Sequence, residues 1–248
     1  MKPDTVIAAR PNKTIYREGN TAIKLFHEGY SIADVLNEAH NHAIVEETGF
    51  SVPKLESVTR IDGKWAIVIQ FIEGKTLAQS MEEDPAGADA CLERMVDIQI
   101  AMHGYSSMKL RSLADKMYER ISHSGLDHAA QFELHARLNS LPKHSKLCHG
   151  DMNPANVIVS ASGEAHVLDW AHATQGNASA DAARTYLLFR LAGEDARAEK
   201  YFDFFCEKSG TSRQYVQKWL PLVAASHLVK GQPVEREFLL HWANVVEY

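Results

Sequence analysis

A His-Gly-Asp triplet at 149–151, an asparagine at 156 and a second aspartate at 169 are the residues of this chain best suited to do chemistry. Their types match what phosphoryl transfer from a magnesium-bound nucleotide needs. One carboxylate, Asp151, would orient and deprotonate a hydroxyl, while the amide of Asn156 and the carboxylate of Asp169 would hold the metal. The spacing serves this purpose. Asp151 and Asn156 fall in one loop, 157–159 reads as a short strand, Ser160-Ala161-Ser162-Gly163 is a turn, and 165–168 returns as a second strand. Such a hairpin brings Asn156 and Asp169 to one edge, where a magnesium ion takes a few hard oxygen ligands from protein and the others from phosphate and water.

Two other readings compete on these residues alone. Asn, Asp, Gly and Pro are common in turns, so they could be ordinary loop polars. A zinc or dinuclear hydrolase centre could use His149, Asp151, His166 and Asp169. Against that, His166 lies three residues before Asp169 in an expected strand, and period-two alternation sends their side chains to opposite faces.

The elements that must carry these residues change texture near residue 75. Before it, strands are expected over 13–18 and 21–26 around a Gly19-Asn20 turn, and over 54–60 and 64–72 around Asp62-Gly63. Between them 31–48 has helical spacing, with Ser31 as N-cap and Ile32, Val35, Leu36, Ala39, Ala43 and Ile44 as the apolar stripe. Gly49 and Pro53 end it. After Gly74 helices are expected at 77–81, 86–103, 112–122 and 126–138. The hairpin interrupts, and helices resume over 180–190, 195–209, 212–230 and 234–246. We read residues 1–74 as a nucleotide-binding lobe and 75–248 as a catalytic and acceptor-binding lobe.

Composition narrows the class. The 248 residues are 45% hydrophobic and 23% charged, ordinary for a globular chain, and a net charge of −6 gives no basic footprint for nucleic acid or anionic membrane. The 13 histidines are scattered without zinc-like spacing, and three distant cysteines fit a reducing cytoplasm better than a disulfide framework. The amino terminus has no signal-peptide apolar region and no run is long enough to span a bilayer.

A nucleotide's phosphates also need a positive charge on a rigid strand, and Lys24 in Thr-Ala-Ile-Lys-Leu-Phe is placed for that. Glu38 on the following helix is its natural anionic partner. In isolation an edge-strand lysine and a solvated glutamate would explain them as well. Their order along the chain joins them to the hairpin: strand lysine, helix glutamate, then Asp151, Asn156 and Asp169.

With these residues the chain resembles the aminoglycoside phosphotransferase and choline kinase-like group, small-molecule kinases with a protein-kinase-like fold. The strongest likeness is Leu147 to Asn156 followed by Leu168-Asp169-Trp170, then Gly176 to Arg184 around Asp181, and the linker Ile69-Gln70-Phe71-Ile72-Glu73-Gly74. The resemblance implies an α+β, two-lobed fold, with a small antiparallel-sheet N-lobe carrying one helix and a larger, mainly helical C-lobe. It implies Asp151 as catalytic base, Asn156 and Asp169 as magnesium ligands, and Lys24 on the nucleotide phosphates with Glu38 fixing it. The linker would hold the adenine through the Gln70 carbonyl and Ile72 amide, with Ile69 and Ile67 lining the ring, and His149 and Asp181 would brace the catalytic loop.

The departures are informative. Ala8 to Thr14 stands where a glycine-rich phosphate loop is expected, and Trp170-Ala171 follows the metal aspartate where protein kinases carry Phe-Gly. The segment from Asp169 to Asp181 is short and no Ala-Pro-Glu follows, so a small hydroxylated acceptor is expected rather than a protein. A cationic acceptor would need an acidic or aromatic pocket; Glu194, Asp195, Glu199, Asp203, Trp219, Glu235 and Trp242 are the candidates. The expected activity is an ATP- and magnesium-dependent kinase, with GTP and the oligomeric state left open. A nucleotide-binding regulator without catalysis and a metal-dependent hydrolase are the alternatives.

Overall fold

The computed structural model describes residues 5–229 and 233–244. Along the chain come β1 (Thr5–Ala9), β2 (Lys13–Glu18), β3 (Thr21–Phe26), α1 (Ile32–Glu47), β4 (Leu55–Ile61) and β5 (Lys64–Gln70). A short β6 (Gly74–Thr76), α2 (Leu77–Glu83), α3 (Ala88–Met102), α4 (Leu113–Ser122) and α5 (His128–Ser140) follow. Next are β7 (Lys146–Cys148), β8 (Val157–Ser160), β9 (Ala165–Val167) and β10 (Thr174–Gly176). Then come α6 (Ala178–Leu191), α7 (Asp195–Ser209), α8 (Arg213–Gln217), α9 (Leu220–His227) and α10 (Pro233–Ala243). The chain divides into two compact units, residues 1–91 with 153–172, and residues 92–152 with 173–248.

The first unit is built on an antiparallel sheet of order β1-β2-β3-β5-β4. Its hairpins sit where left-handed backbone is tolerated: Gly19 has φ 57°, and Asp62 and Gly63 have φ 49° and 80°. Positive φ at both central residues suits a tight two-residue hairpin turn. Helix α1 starts at Ser31, whose side chain accepts the Asp34 amide as an N-cap. Val35 and Ala39 of its apolar stripe pack with Ala22, Phe26, Ile67 and Ile69 of the sheet. Each buried Ile, Val or Phe there contributes about 1.5–3 kcal/mol. Strand β1 is an addition to the sequence reading: its Val6 and Ile7 are exposed, so no buried face marks it. The expected strand 64–72 ends at Gln70.

The same unit holds a second sheet of order β6-β8-β9. Gly74 pairs with Ser160 in this ladder, and a Cβ at Gly74 would lie 2.3 Å from the Val159 carbonyl oxygen. Only glycine fits that approach.

The second unit is helical apart from the short antiparallel β7–β10 pair. Its core gathers Leu92, Met95, Met102, Leu187, Tyr201, Phe202 and Phe205. The continuous helix expected over 212–230 is corrected to α8 and α9. Pro221 has no N–H to donate, so the helical hydrogen-bond ladder breaks just before it. Lys230, and residues 245–246 of the expected last helix, lie outside the described residues. No helix among the described residues is long and apolar enough to cross a membrane. The architecture is α+β, with an antiparallel-sheet N-terminal region and a helical remainder.

Candidate active site

In the first unit, period-two alternation puts Lys24 on the same face of β3 as Ala22 and Phe26. It is 5% exposed, and its Nζ donates to Glu38 Oε1 at 2.6 Å. Glu38 falls on the buried face of α1, beside Val35 and Ala39, and is itself buried rather than solvated. Burial alone would lower the pKa of the Lys24 ammonium, but the nearby carboxylates of Asp169 and Glu38 outweigh it and hold the pKa above its ordinary value.

The hairpin of β8 and β9 ends where Asn156 and Asp169 stand. The Leu168 amide donates to the Asn156 carbonyl at 2.8 Å, so the two strands still pair at the step before Asp169. Asp169 then turns with φ 66°, a left-handed conformation that aspartate adopts more readily than most residues. Its carboxylate meets two ammonium groups, Lys13 Nζ at 3.0 Å and Lys24 Nζ at 3.8 Å. Lys13 also reaches Glu38 at 3.4 Å. Two lysines and two carboxylates thus form one charge-balanced quartet. Trp170 is fully buried beyond it, donating through Nε1 to the Val167 carbonyl, and Asn41 of α1 donates to the Trp170 carbonyl at 3.2 Å.

These residues fit a divalent cation. Asp169 and Asn156 offer hard oxygens at one end of the hairpin, and the Asp169 carboxylate already draws a cationic nitrogen to 3.0 Å. Among the described residues no three His, Cys, Asp or Glu side chains converge on a metal position. His166, one ligand of the hydrolase reading, instead has its Nδ1 3.0 Å from the Ser51 hydroxyl. Ile67 and Ile69 lie directly across from Lys24 and Ala22 in the β3–β5 ladder and share their face. The linker is anchored by its Gln70 amide on the Lys54 carbonyl and its Phe71 amide on the Asn20 carbonyl. Ile72 is buried.

In the second unit the loop carrying Asp151 is braced from below. His149 is fully buried and its Nδ1 accepts the Asp151 amide at 3.1 Å. Gly150 has φ 78° and donates its amide to Asp181 Oδ1 at 2.7 Å. Asp181 Oδ2 accepts from Gln99 Nε2 and has His103 Nε2 beside it, each at 3.0 Å. Burial would raise the Asp181 pKa, but His103, Gln99 and the Gly150 amide together bring it below the usual carboxylate value. Gln99 on α3 and His103 just past its end were not singled out from sequence, since polar residues on or beside a helix normally face water.

The same unit places Arg184 of α6 against this loop, its Nε donating to the Gly150 carbonyl at 3.4 Å. Burial drives the Arg184 pKa down to about 10, against the opposing pull of Asp151. His227 of α9 is held neutral, its pKa lowered to about 3 by burial and then by the charges of Arg184 and Arg120. Unfolded histidine titrates near 6.5. The unfolded chain therefore takes up this proton first, so His227 costs no stability above pH about 6.5. Below it, stability falls toward pH 3 by about 1.4 kcal/mol per pH unit. Urea unfolding between pH 7 and 5 measures this slope, and His227→Gln should flatten it.

The candidate acidic pocket is not a set of open carboxylates. Asp195 pairs with Arg190 at 2.7 Å, Glu194 with Arg197 at 2.7 Å, and Arg213 bridges Glu199 and Asp203. Trp219 is buried, and Trp242 packs among Tyr186, Phe238 and Arg190. Glu235 sits 3.6 Å from His227.

Residues 10–216 match the sequence model of the phosphotransferase enzyme family. No curated protein matches the chain. Among solved structures, choline kinase LicA from Streptococcus pneumoniae is 15% identical with a TM-score of 0.62, covering 96% of this chain and 91% of that one. The aminoglycoside phosphotransferase APH(4)-Ia is 13% identical with a TM-score of 0.71, covering 97% and 91%. A thermostable APH(4)-Ia mutant, solved as a ternary complex with AMP-PNP and hygromycin B, is 12% identical with a TM-score of 0.69 over 97% and 91%. These identities speak for the fold, and the family match covers both compact units: the chain belongs to the phosphotransferase enzyme family, on a protein-kinase-like fold.

Proposed function

We propose that this protein moves the γ-phosphate of ATP, with magnesium, to a hydroxyl group of a small molecule. The observation that carries the reading is the quartet of Lys13, Lys24, Glu38 and Asp169, an arrangement of charge suited to a polyphosphate and its metal. Asp169 and Asn156 would hold the cation, which when bound neutralises charge on the phosphates. Lys24, fixed by Glu38, contacts the phosphate chain. The Gln70 carbonyl and Ile72 amide take the adenine edge, and Ile67 and Ile69 its ring. Asp151 accepts the acceptor's hydroxyl proton as the oxygen bonds to the γ-phosphorus, while the bond to the β-phosphate oxygen breaks and ADP leaves with that electron pair. His149 and Asp181 act through the loop, keeping Asp151 in position. Solved relatives that carry AMP-PNP with hygromycin B, or AMP, favour a nucleotide and a small acceptor. The free cysteines suit a reducing cytoplasm.

Lys13 answers how phosphates are held without a glycine-rich loop. It stands at the start of β2, within the Ala8–Thr14 stretch that replaces that motif, and its ammonium can turn from Asp169 to phosphate when a cation takes its place. A charge-assisted bond of this kind is worth about 1.5–3 kcal/mol. Lys13→Met should therefore raise the KM for ATP about 10- to 100-fold, measured with magnesium in excess.

The reading itself is tested by the melting temperature with millimolar ATP and magnesium. At 100 times Kd, ligand binding adds about 2.7 kcal/mol of stability, a rise of several degrees for a chain of this size. No rise would sink the kinase assignment.

A further inference from the structure

Within the second unit, the positive charge next to the Asp151 loop is not spent on structure. Arg184 gives its Nε to the Gly150 carbonyl, but its Nη1 is buried and has no hydrogen-bond partner among the described residues. A buried guanidinium N–H left unmatched is costly, and a purely structural arginine would be paired. Of the carboxylates that act on Arg184, Asp151 pulls most strongly, then Glu235 and Asp181, yet none of them is hydrogen-bonded to Nη1, and Asp181 is filled by Gly150, Gln99 and His103. Glu235 lies by His227.

A second guanidinium acts on the same place. Arg120, half-buried in the last turn of α4, and Arg184 repel each other, and both depress the pKa of His227. The neighbour Glu119 is committed to Arg111. α4 and α6 both pack against α9, the helix that carries His227. Meanwhile the carboxylates of α7 that a cationic acceptor would need are held by Arg190, Arg197 and Arg213.

We propose that the acceptor is an anion, a small hydroxylated molecule whose carboxylate or phosphate is gripped by the unmatched Nη1 of Arg184 and by Arg120. Guanidinium groups suit both oxyanions, because their donors match the paired acceptor oxygens. The proposal deepens the kinase reading and rests on it. The oxyanion is a handle only; the hydroxyl elsewhere on the molecule receives the phosphoryl group as described above. Arg184 is then a specificity-determining residue, and an aminoglycoside or choline would carry the wrong charge for these two guanidinium groups.

The experiment compares matched acceptors by ADP release: D-glycerate against glycerol, gluconate against sorbitol, glucose 6-phosphate against glucose, with choline and kanamycin as the cationic arm. The wild-type protein is expected to use at least one anionic member and to prefer it to its neutral twin. The first two pairs report a carboxylate handle and the third a phosphate handle. Arg184→Gln should raise the KM for the anionic acceptor about 10- to 100-fold and erase the preference, with Arg120→Gln acting in the same direction. A purely structural Arg184 would instead lower kcat for charged and neutral acceptors alike. Should Arg184→Gln fail to fold, Arg184→Lys, which keeps the charge and loses the fork, carries the comparison together with Arg120→Gln. Release only with cationic or neutral compounds, release with none of the panel, or a preference that survives these substitutions overturns the proposal. The melting-temperature rise with ATP and magnesium separates the two levels. If wild type lacks it, the kinase reading has failed; if it is present without anion selectivity, only this inference has.

Discussion

Replacing Asp151 by asparagine is expected to cut acceptor-dependent ADP release by about 10²- to 10⁴-fold, the range a positioned acid–base group contributes. Asparagine keeps the size and can still accept a hydrogen bond, but it cannot take a proton. The loop itself should persist, because its anchors are backbone groups: the Asp151 amide on His149 and the Gly150 amide on Asp181. The melting-temperature rise with ATP and magnesium should therefore survive in full. Full turnover in Asp151→Asn with a true acceptor would remove Asp151 from the mechanism. Loss of turnover and of nucleotide binding together would point instead to a collapsed fold.

Asp169→Asn is expected to fail at an earlier step. Asp169 carries the negative charge that Lys13 and Lys24 both approach and that a magnesium ion would need. With the charge gone, adding magnesium should no longer increase the stabilisation given by ATP, whereas metal-free ADP should still bind through Lys24 and Lys13. The uncomplexed variant should also lose some stability, because the quartet becomes three charges with an excess positive one. Asp169 is partly exposed, so this loss is discounted to about 1 kcal/mol, a drop of about 2–4 °C in Tm. Calorimetric titration with ATP in the presence and absence of magnesium distinguishes the outcomes. A magnesium response of wild-type size in Asp169→Asn would place the cation on other ligands.

Local chemistry made much of this legible in the sequence. The hairpins follow from Gly19 and from Asp62-Gly63, and α1 from Ser31 and an apolar stripe at helical spacing. The Asp151, Asn156 and Asp169 spacing carried its own rationale, since a hairpin of that length must return to its starting edge. What escaped was set by distant partners. Strands β6, β7 and β10 are three residues each and exist only through pairing with segments far along the chain. Lys13 reads as an ordinary strand lysine until β2 and the hairpin put it beside Asp169. Gln99 and His103 look like surface polars until Asp181 comes to meet them. Arg184 stands in the segment matched to the family, yet the absence of a partner for its Nη1 is a property of packing that no spacing displays.

The ladder of β6 with β8 has a consequence for the order in which the protein is made. The first compact unit is discontinuous: residues 153–172 belong to it, but the ribosome delivers them only after residues 92–152. Until then β6 has an open edge, the position filled by Trp170 is empty, and Asn41 lacks the Trp170 carbonyl it binds in the finished structure. A nascent chain halted near residue 91 therefore holds the main sheet and α1 but lacks Asn156 and Asp169, the residues proposed to hold the metal. The lobe matures late, when the hairpin arrives to complete it, and expression of the first 91 residues alone should yield a product prone to associate through that unfilled edge.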